Sequence, residues 1–376
     1  MARQVLTAEN VLLPDGWHKS KKITVTDGFI SDISDSDSFG KEYDAAYAVP
    51  ALIDNHIHGG FGFDVTECTA EGLQSFLARL GGIGIGGIQL CPYGTRETVQ
   101  DSMRVCREIM TKQKEGKVHG ARLLGVHPEG PFLSVNRPGA MLPETILKPT
   151  PEAFDAFFEP YTDLISEMTL APEEDIGFAT VTALRRRNIH VLAGHTDCDY
   201  EAALAAFKAG VGATCHTFNA MRPIKHRDPG LLTAALTTPS VYSEFIGDTV
   251  HLHPGTLRLL FACKGADRLM LVSDAVKTTG MPDGVYQLPF ETVYVKNGES
   301  RLEDGTLDGG GCMISESVSR LAGIGLSPFD VLQSASVTPA AWLGIGNACS
   351  LKVGNTARIA CFDEHLKYQK NICNRW

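Results

Sequence analysis

Residues that can bind a divalent metal ion follow short apolar runs at several separate places in this chain. His56 and His58 come just after the apolar run at 49–53, with a single isoleucine between them. Four later runs end in residues of the same chemical kind: His127 with Glu129, His195, His216 and Asp274. Imidazole nitrogen and carboxylate oxygen are ligands that Zn²⁺ and Fe²⁺ accept in proteins. If these runs are strands whose ends converge, the pattern indicates a metal-assisted hydrolase.

The residue types suggest a division of roles. Glu129, His195 and His216 are the expected ligands of one ion, because three protein ligands leave a position open for water. A bound cation brings the pKa of water toward 7 and so supplies hydroxide at neutral pH. Asp274 is the expected general base, which takes a proton from this water and later returns it to the leaving group. A helix N-cap or a buried ion pair is the alternative role for Asp274.

The spacing of the first two histidines is informative. Side chains two positions apart in a strand point to the same side. His56 and His58 are therefore expected to face the metal site together, while Ile57 packs outward against helices. Gly59 and Gly60 are expected to keep the mouth of the site open for substrate. A metal-free protein whose histidines are structural is the simplest alternative, because one histidine at a strand end is often a core residue.

The elements that must position these residues alternate between strand and helix. The middle of the chain has eight candidate strands, at 51–58, 87–91, 122–128, 168–171, 190–194, 213–217, 242–247 and 269–273. Helical patterns follow most of them, including those at 69–80 and at 199–209, where Asp199 is a candidate N-cap. Eight strands, each followed by a helix, predict an α/β protein with a (β/α)8 TIM barrel, in which the strand ends meet at one mouth.

Both ends of the chain have a β pattern. Short strands are predicted at 4–7, 11–13, 23–26 and 29–33, and near the C-terminus at 351–354 and 357–362. Neither end is large enough to form a stable sheet alone, so we expect the two to pair. The predicted organisation is a small β-sandwich domain made of residues 1–49 and 345–376, and a barrel domain at 50–344.

The composition narrows the class of partner. The chain has 376 residues and a net charge of −10, without a long basic run, which argues against binding to nucleic acid or to a membrane surface. Its ten cysteines are scattered singly, as expected of reduced thiols in a cytoplasmic protein. We also expect no signal peptide and no membrane span, because neither pattern is present.

Six motifs resemble, in their order along the chain, those of the N-acetylglucosamine-6-phosphate deacetylases of the amidohydrolase superfamily: PALIDNHIHGG, GVHPEGPFLS, LAGHTD, CHTFNAMRPIKHRDPGL, LVSDAV and GTLDGGGCMI. The resemblance extends from about residue 5 to residue 362. It implies a (β/α)8 barrel with a small β-sandwich built from both termini. It also implies hydrolysis of N-acetyl-D-glucosamine 6-phosphate to D-glucosamine 6-phosphate and acetate, in amino-sugar catabolism.

The resemblance assigns metal ligands. Glu129, His195 and His216 become the primary ligands, with Asp274 as the acid/base. Because this chain keeps His-x-His, a second ion held by His56 and His58 and bridged by Glu129 is possible. The resemblance thus implies one or two divalent ions per subunit, Zn or Fe.

The resemblance also implies a small-molecule substrate, an amino-sugar phosphate, and residues that contact it. These are Ala140, Asn219, Ala220, Arg227, His251, Leu307, Asp308 and Gly309. Asn219 and Ala220 would hold the sugar phosphate, His251 would contact the sugar, and the loop at 307–309 would close the pocket. Arg227 would pair with the phosphate, and in similar enzymes it reaches over from the neighbouring subunit, which implies a homodimer.

Two features depart from the family pattern. Where the family has a G-A-H or G-T-H segment, whose histidine helps to polarise the acetyl carbonyl, this chain has Met141 after Gly139 and Ala140. A thioether cannot donate a hydrogen bond. Either the metal alone polarises the carbonyl, or His251 or His253 substitutes, or the substrate differs. In addition, the tail is expected to stop before the final strand of the sandwich.

Two alternatives to this function stay open. The substrate could be N-acetylgalactosamine 6-phosphate or another amide of the superfamily. The chain could also be a catalytically inactive barrel that binds a sugar phosphate, which Met141 leaves open. The intact set of Glu129, His195, His216 and Asp274 argues against this second alternative, because a binding protein needs no general base beside a metal.

Overall fold

The computed structural model describes residues 2–37, 42–288 and 292–372. Within them the strands are β1 (Arg3–Leu13), β2 (Gly16–Thr26), β3 (Phe29–Asp35), β4 (Ala45–Pro50), β5 (Leu52–Ile57), β6 (Gly59–Gly60), β7 (Phe63–Asp64), β8 (Ile85–Leu90), β9 (Arg122–Val126), β10 (Glu167–Leu170), β11 (His190–Ala193), β12 (Val211–Thr214), β13 (Tyr242–Ile246), β14 (Leu269–Val272), β15 (Gly284–Gln287), β16 (Thr292–Lys296), β17 (Glu299–Arg301), β18 (Ile359–Phe362) and β19 (Tyr368–Ile372).

The α-helices of the described residues are α1 (Ala70–Gly82), α2 (Arg96–Lys114), α3 (Pro151–Phe158), α4 (Ala179–Arg186), α5 (Tyr200–Ala209), α6 (Gly230–Thr237), α7 (Pro254–Lys264), α8 (Ile314–Gly323), α9 (Pro328–Ala335) and α10 (Val337–Trp342). In the described ranges no helix combines the length and apolarity that a membrane crossing requires. Strands and helices alternate through most of the chain, so the fold is mixed α/β, as the sequence predicts.

The two ends of the chain form one six-stranded sheet, as expected from their sequence patterns. Its strand order is β19–β18–β4–β1–β2–β3. The C-terminal strand β18 joins the N-terminal part by pairing antiparallel with β4. Apolar side chains from both ends share one core beneath this sheet, among them Leu6, Ile23 and Ile359. Neither end would bury this surface alone, which explains why they pair.

The terminal sheet differs from the sequence predictions in several details, among them the unpredicted strand β4 and the earlier start of β2. The pieces at 4–7 and 11–13 belong to the single strand β1, because Ala8 and Asn10 continue the ladder opposite β2. The segment at 351–354 is not a strand; it turns, and its Gly354 N–H donates to the carbonyl of Ile30. The expectation that the tail stops before a final strand is wrong, since β19 pairs with β18. Residues 373–376 of the tail lie outside the described residues.

Eight parallel strands lie between the terminal segments. β5, β8 and β9 form one sheet, and β10 to β14 form another in chain order. Isolated parallel bridges join the two sheets at both edges, from Val126 to Ile165 at one edge and from Ile57 to Ala275 at the other. These are the eight strands predicted from the sequence, with bounds that differ by a few residues. Their carboxyl ends therefore lie on the same side of the molecule.

Two helices show how the sequence sets their limits. The predicted helix at 69–80 is α1, and its N-cap Thr69 accepts a hydrogen bond from the Gly72 N–H at 3.1 Å. The predicted helix at 199–209 is α5, and Asp199 caps it by accepting from the Ala202 N–H at 2.8 Å. These caps satisfy amide groups that the first turn leaves unpaired. Both sequence predictions are confirmed.

A small antiparallel sheet is missing from the sequence predictions. β15, β16 and β17 form it between β14 and α8. The chain then folds back: Arg301 and Leu307 form an antiparallel bridge, and the Asp308 N–H donates to the carbonyl of Ser300 at 3.0 Å. This sheet therefore fixes the position of the loop at 307–309.

Candidate metal centre and substrate pocket

The carboxyl ends of three parallel strands bring the expected primary ligands together. Glu129 lies just beyond β9, His195 beyond β11 and His216 beyond β12. Oε1 of Glu129 lies 3.0 Å from Nε2 of His195 and 2.8 Å from Nε2 of His216. The two imidazole nitrogens are 3.1 Å apart. All three side chains are buried, and together they form a group that could hold a metal ion.

A second group lies beside the first and shares Glu129 with it. Nε2 of His58 lies 3.2 Å from Nε2 of His56 and 3.2 Å from Oδ1 of Asp274. The other oxygen of Glu129, Oε2, lies 3.2 Å from the same His58 nitrogen. The Glu129 carboxylate therefore lies between the two groups, with one oxygen directed to each. This is the arrangement that a bridging carboxylate requires.

Hydrogen bonds on the far side of the rings show which nitrogens carry lone pairs. Nδ1 of His195 donates to the carbonyl of Pro138 at 3.0 Å, and Nδ1 of His58 donates to the carbonyl of Cys91 at 2.7 Å. A carbonyl oxygen can only accept, so in the neutral rings the proton is on Nδ1 and the lone pair is on Nε2. These lone pairs face carboxylate oxygens, which is unfavourable unless a proton or a cation lies between them. The donor set of imidazole nitrogen and carboxylate oxygen fits a divalent metal ion.

The charges of the centre agree with this fit. Burial disfavours the charged form of His58, but its hydrogen bonds to Asp274 and Glu129 outweigh burial and raise the pKa of His58 to about 9. Burial also opposes ionisation of Asp274, yet the hydrogen bond to His58 and the nearby His56 keep the pKa of Asp274 below its ordinary value. The side chains of the centre therefore favour binding of a proton or a cation at neutral pH. Asp274 is ionised there and can accept a proton.

Several residues of the centre have a left-handed backbone. The φ angles are 47° at His195, 25° at His216, 48° at Ala220 and 51° at Asp274. This conformation costs a non-glycine residue roughly 1–3 kcal/mol, and such costs concentrate at functional sites. Asp274 is held in it from both sides, because its N–H donates to the carbonyl of His56 at 2.9 Å and its carbonyl accepts from the Gly310 N–H at 2.6 Å.

A pocket opens over the two groups. Most of the residues expected at the site line it: His58, Glu129, Ala140, His195, His216, Asn219, Ala220, His251, Asp274, Leu307, Asp308 and Gly309. His56 is fully buried behind this surface. Arg227 does not line the pocket and is exposed. Among the described residues that line this pocket, none is lysine or arginine.

The glycine pair after the first strand has another role than expected. Gly59 and Gly60 do not line the pocket. They form the short strand β6, which pairs with β7. A Cβ atom at Gly59 would lie 2.2 Å from the carbonyl oxygen of Phe63. The expectation that the pair keeps the mouth open is wrong: glycine at position 59 allows the close approach of the Phe63 backbone, and glycine at position 60 leaves room for the side chain of Met313.

Some pocket residues were missed by the sequence analysis. Tyr93 and Thr306 line the pocket, and the ring of Tyr93 packs edge-on against His58 with centroids 5.2 Å apart. The signal for Tyr93 is its position shortly after β8, the second parallel strand, where a side chain can reach the same mouth as those that follow the other strands. Gly139 also lines the pocket, and a Cβ atom there would approach Cε1 of His195 to 3.0 Å.

The two candidate substitutes for the missing family histidine differ in position. His251 lines the pocket together with Met141, and its Nδ1 donates to Oδ2 of the buried Asp248 at 2.8 Å. His253 is exposed and caps α7, where its Nδ1 accepts from the Gly255 N–H at 3.0 Å. His253 is therefore excluded as a donor in the pocket, and His251 remains.

Asp308 is a carboxylate in the pocket wall with unusual surroundings. Its side chain is buried, and within the described ranges its Oδ2 atom has no hydrogen-bond partner. Burial and the negative charge of Asp274 raise the pKa of Asp308 to about 6. A buried acceptor without a partner is costly, so this oxygen is suited to a hydrogen bond from a bound molecule.

Comparison with known proteins agrees with this geometry. Residues 47–374 match the amidohydrolase family. The chain is 30% identical over 368 residues to the N-acetylgalactosamine-6-phosphate deacetylase of Escherichia coli O157:H7, with 97% of both chains covered. It is 32% identical over 378 residues to the N-acetylglucosamine-6-phosphate deacetylase of Bacillus subtilis, with 98% of this chain and 94% of that protein covered.

Solved structures give the same result. A mutant N-acetyl-D-glucosamine-6-phosphate deacetylase from Mycobacterium smegmatis, in complex with N-acetyl-D-glucosamine-6-phosphate, has a TM-score of 0.89 at 27% identity, covering 100% of this chain and 99% of that one. The N-acetylglucosamine-6-phosphate deacetylase from Thermotoga maritima has a TM-score of 0.87 at 26% identity, covering 99% and 98%. The chain therefore belongs to the N-acetylglucosamine-6-phosphate deacetylase family of amidohydrolases.

Proposed function

We propose that this protein hydrolyses N-acetyl-D-glucosamine 6-phosphate to D-glucosamine 6-phosphate and acetate, in amino-sugar catabolism. The observation that carries the proposal is the meeting of Glu129, His195 and His216 with an ionised Asp274 at the base of one pocket. The names of the Bacillus subtilis and Mycobacterium smegmatis relatives support the substrate. An inactive sugar-phosphate-binding protein would gain nothing from a proton acceptor at this place.

We propose that Glu129, His195 and His216 hold a first divalent ion, and that His56 and His58 hold a second one, with Glu129 shared. Imidazole-rich sites suit Zn²⁺ and Fe²⁺, which are the ions we propose. When bound there, a divalent cation polarises a carbonyl group and lowers the pKa of water.

Asp274 is the proposed acid/base. It would accept a proton from the water that attacks the acetyl carbon, and would pass a proton to the amide nitrogen as the carbon–nitrogen bond breaks. Its Oδ1 lies 3.2 Å from Nε2 of His58, which fixes the carboxylate at the reacting end of the pocket. Because its pKa is lowered, it starts the cycle ionised, as a base must.

The sugar would occupy the wall opposite the metal ligands. We propose that His251, oriented by Asp248, and Asp308 form hydrogen bonds with its hydroxyl groups. Asn219 and Ala220 would hold the phosphate side through amide groups. The remaining wall residues, Ala140, Leu307 and Gly309, would enclose the ring.

The phosphate requires a cation that this pocket does not supply from its described lining. We propose that Arg227 supplies it by reaching into the pocket of a second subunit, so that the protein acts as a homodimer. Arg227 is exposed and belongs to the same segment as Asn219 and Ala220. A guanidinium group suits phosphate because it can donate two parallel hydrogen bonds to phosphate oxygens.

We also infer the finer architecture from the strand connections. The bridges at both edges of the parallel sheets support closure into a (β/α)8 barrel at 50–344. The six-stranded terminal sheet supports a small β-sandwich domain made of residues 1–49 and 345–376. The free cysteine thiols fit a cytoplasmic location.

N-acetylgalactosamine 6-phosphate is the second candidate substrate. The relative in Escherichia coli O157:H7 carries the corresponding name. In addition, Met141 lines the pocket at the place where the resemblance leads us to expect a histidine. The two sugars differ only in the orientation of one hydroxyl group, which pocket residues such as Asp308 and His251 could distinguish.

Acetate release from a panel of substrates tests this proposal. We expect the metal-loaded protein to hydrolyse N-acetyl-D-glucosamine 6-phosphate, and to act poorly on N-acetylglucosamine without phosphate. A higher kcat/KM with N-acetylgalactosamine 6-phosphate would favour the second candidate. Failure to release acetate from either phosphate, with metal bound, would reject the deacetylase.

A further inference from the structure

Glu244 is a buried carboxylate that lies close to the metal centre but does not line the pocket. It lies in the middle of β13, in the otherwise mostly apolar run Tyr-Ser-Glu-Phe-Ile, and is fully buried. β13 pairs with β12, the strand that leads to His216. Burying a carboxylate is costly unless the surroundings compensate it, so its contacts should explain why it is there.

One oxygen of Glu244 contacts both groups of the centre. Its Oε2 lies 3.2 Å from Nδ1 of His56 and accepts from the backbone N–H of His216 at 3.4 Å. A carboxylate accepts, so Nδ1 of His56 is the donor in the neutral ring and Nε2 carries the lone pair. The Sγ atom of Cys215 lies 3.3 Å from the same Nδ1, but a thiol is a weaker acceptor than a carboxylate.

This contact directs His56 toward the centre. Its Nε2 lies 3.5 Å from Oδ1 of Asp274 and 3.6 Å from Oε1 of Glu129. The ring is fully buried and does not reach the pocket surface. Its orientation therefore depends on what holds it from behind.

The other histidines of the centre are held differently. His58 and His195 donate to backbone carbonyls, and Nδ1 of His216 has no partner among the described residues. His56 is the one of these four with a carboxylate at hydrogen-bond distance behind its ring. A carboxylate behind a ligating imidazole fixes its tautomer and makes it a stronger ligand.

We propose that Glu244 is a positioning residue for the second metal ion: it holds His56 with Nε2 toward His58 and Glu129, and strengthens His56 as a ligand. Glu244 itself would contact neither metal nor substrate. The inference rests on the proposed metal centre. It implies that the second ion depends on Glu244 much more than the first does.

Zinc titration of the metal-free protein tests this inference. The wild type, Glu244→Gln and Glu167→Gln would be stripped with a chelator and titrated with Zn²⁺ against a competing indicator. Glu167→Gln is the control for loss of a neighbouring buried charge, because Glu167 is also fully buried on a parallel strand, lies in one group with Glu244 and His127, and accepts from the indole of Trp342. We expect two ions in the wild type and in Glu167→Gln. In Glu244→Gln the second ion should bind about 10–100-fold more weakly, with the first unchanged.

Other results would overturn the inference. The second ion could bind to Glu244→Gln as tightly as to the wild type, or the affinity for both ions could fall in parallel. A wild type that takes up only one zinc ion would also overturn the inference. If Glu244→Gln does not fold, Glu244→Asp replaces it. The shorter side chain keeps the negative charge but moves it away from His56, so the second ion should again bind more weakly while the first is unchanged. Acetate release by the same samples separates the two proposals: the expected zinc pattern without deacetylation would reject the enzyme and leave the positioning role standing.

Discussion

The two ends of the pocket are built in different ways. At the reacting end, Nε2 of His58 lies 3.2 Å from Oε2 of Glu129 and 3.2 Å from Oδ1 of Asp274. These residues follow strands of the parallel sheets. At the other end, the wall is made by loops that carry Asn219, Ala220 and the segment at 307–309. No lysine or arginine lines the pocket in the part of the chain that the structure describes.

This difference suggests that chemistry and substrate choice are set by separate parts of the molecule. Strand ends hold side chains rigidly, which suits groups that must meet an ion or a proton. Loops vary more easily and suit recognition of one sugar over another. Changes at the reacting end should therefore lower kcat, while changes at the loop end should mainly raise KM.

Metal removal should have the largest effect. Without a cation, histidine lone pairs and carboxylate oxygens face one another, and neither the acetyl oxygen nor water is activated. We expect dialysis against a chelator to reduce acetate release to background and Zn²⁺ or Fe²⁺ to restore it. Elemental analysis of the same samples gives the stoichiometry. Full activity in metal-free protein would contradict the assignment of the reacting end.

Asp274→Asn should follow in size. The amide keeps the shape of the side chain but cannot accept the proton from water, so kcat should fall about 10²–10⁴-fold. KM should change little, because the loop end is intact. Asp101→Asn, an exposed carboxylate on α2, is the control and should retain wild-type activity. A loss of bound metal in parallel with the loss of kcat would indicate that Asp274 acts as a ligand instead.

The same contrast explains what could be predicted from the sequence. The eight parallel strands were predictable because most are short runs rich in apolar residues, and Glu129, His195, His216 and Asp274 were predictable because they stand where such runs end. Convergence of strand ends in this fold then brings distant positions together. The bounds of the terminal strands do not follow from local pattern, since Ala8 and Asn10 have low strand propensity and are kept in β1 by pairing with β2.

Other residues could not be placed for physical reasons. Glu244 is a single charged residue inside a mostly apolar strand. This pattern indicates that another group in the core compensates the buried carboxylate, but it does not identify that group. Gly59 was given a role in the mouth, yet its need for glycine comes from the carbonyl of Phe63, four residues away across a turn. Tyr93 and His253 lie in loops, where sequence pattern does not fix which side chains point into the pocket.

Arg227→Ala tests the loop end. If Arg227 binds phosphate, its loss should raise KM about 10–100-fold, which is the range for a hydrogen bond to a charged group, and leave kcat nearly unchanged. Lys225→Ala removes an exposed cation two positions away and is the matched control. Without phosphate on the substrate, Arg227→Ala and the wild type should have the same KM.

Mixing variants tests whether Arg227 acts across subunits. Arg227→Ala and Asp274→Asn lack different ends of the pocket, so neither homodimer has a complete site. Random exchange gives half mixed dimers, each with one complete site, so the rate at substrate concentrations well below KM should be about a quarter of that of the wild type. If Arg227 instead acts on the pocket of its own chain, no dimer contains a complete site. Mixing the two variants should then give no increase in activity.

The smallest effect should come from Asp308, which lies between the two ends. Its pKa is raised to about 6 by burial and by Asp274. Above pH 6 the side chain is ionised and accepts strongly from a sugar hydroxyl; as the pH falls through 6 it is protonated and this interaction weakens. We expect kcat/KM of Asp308→Asn to be about tenfold lower than that of the wild type at pH 8, and the two profiles to converge near pH 5, because a protonated carboxyl and an amide are then similar acceptors. Profiles that stay parallel across this range would show that the charge of Asp308 is not used, and the wall at 307–309 would then act by shape alone.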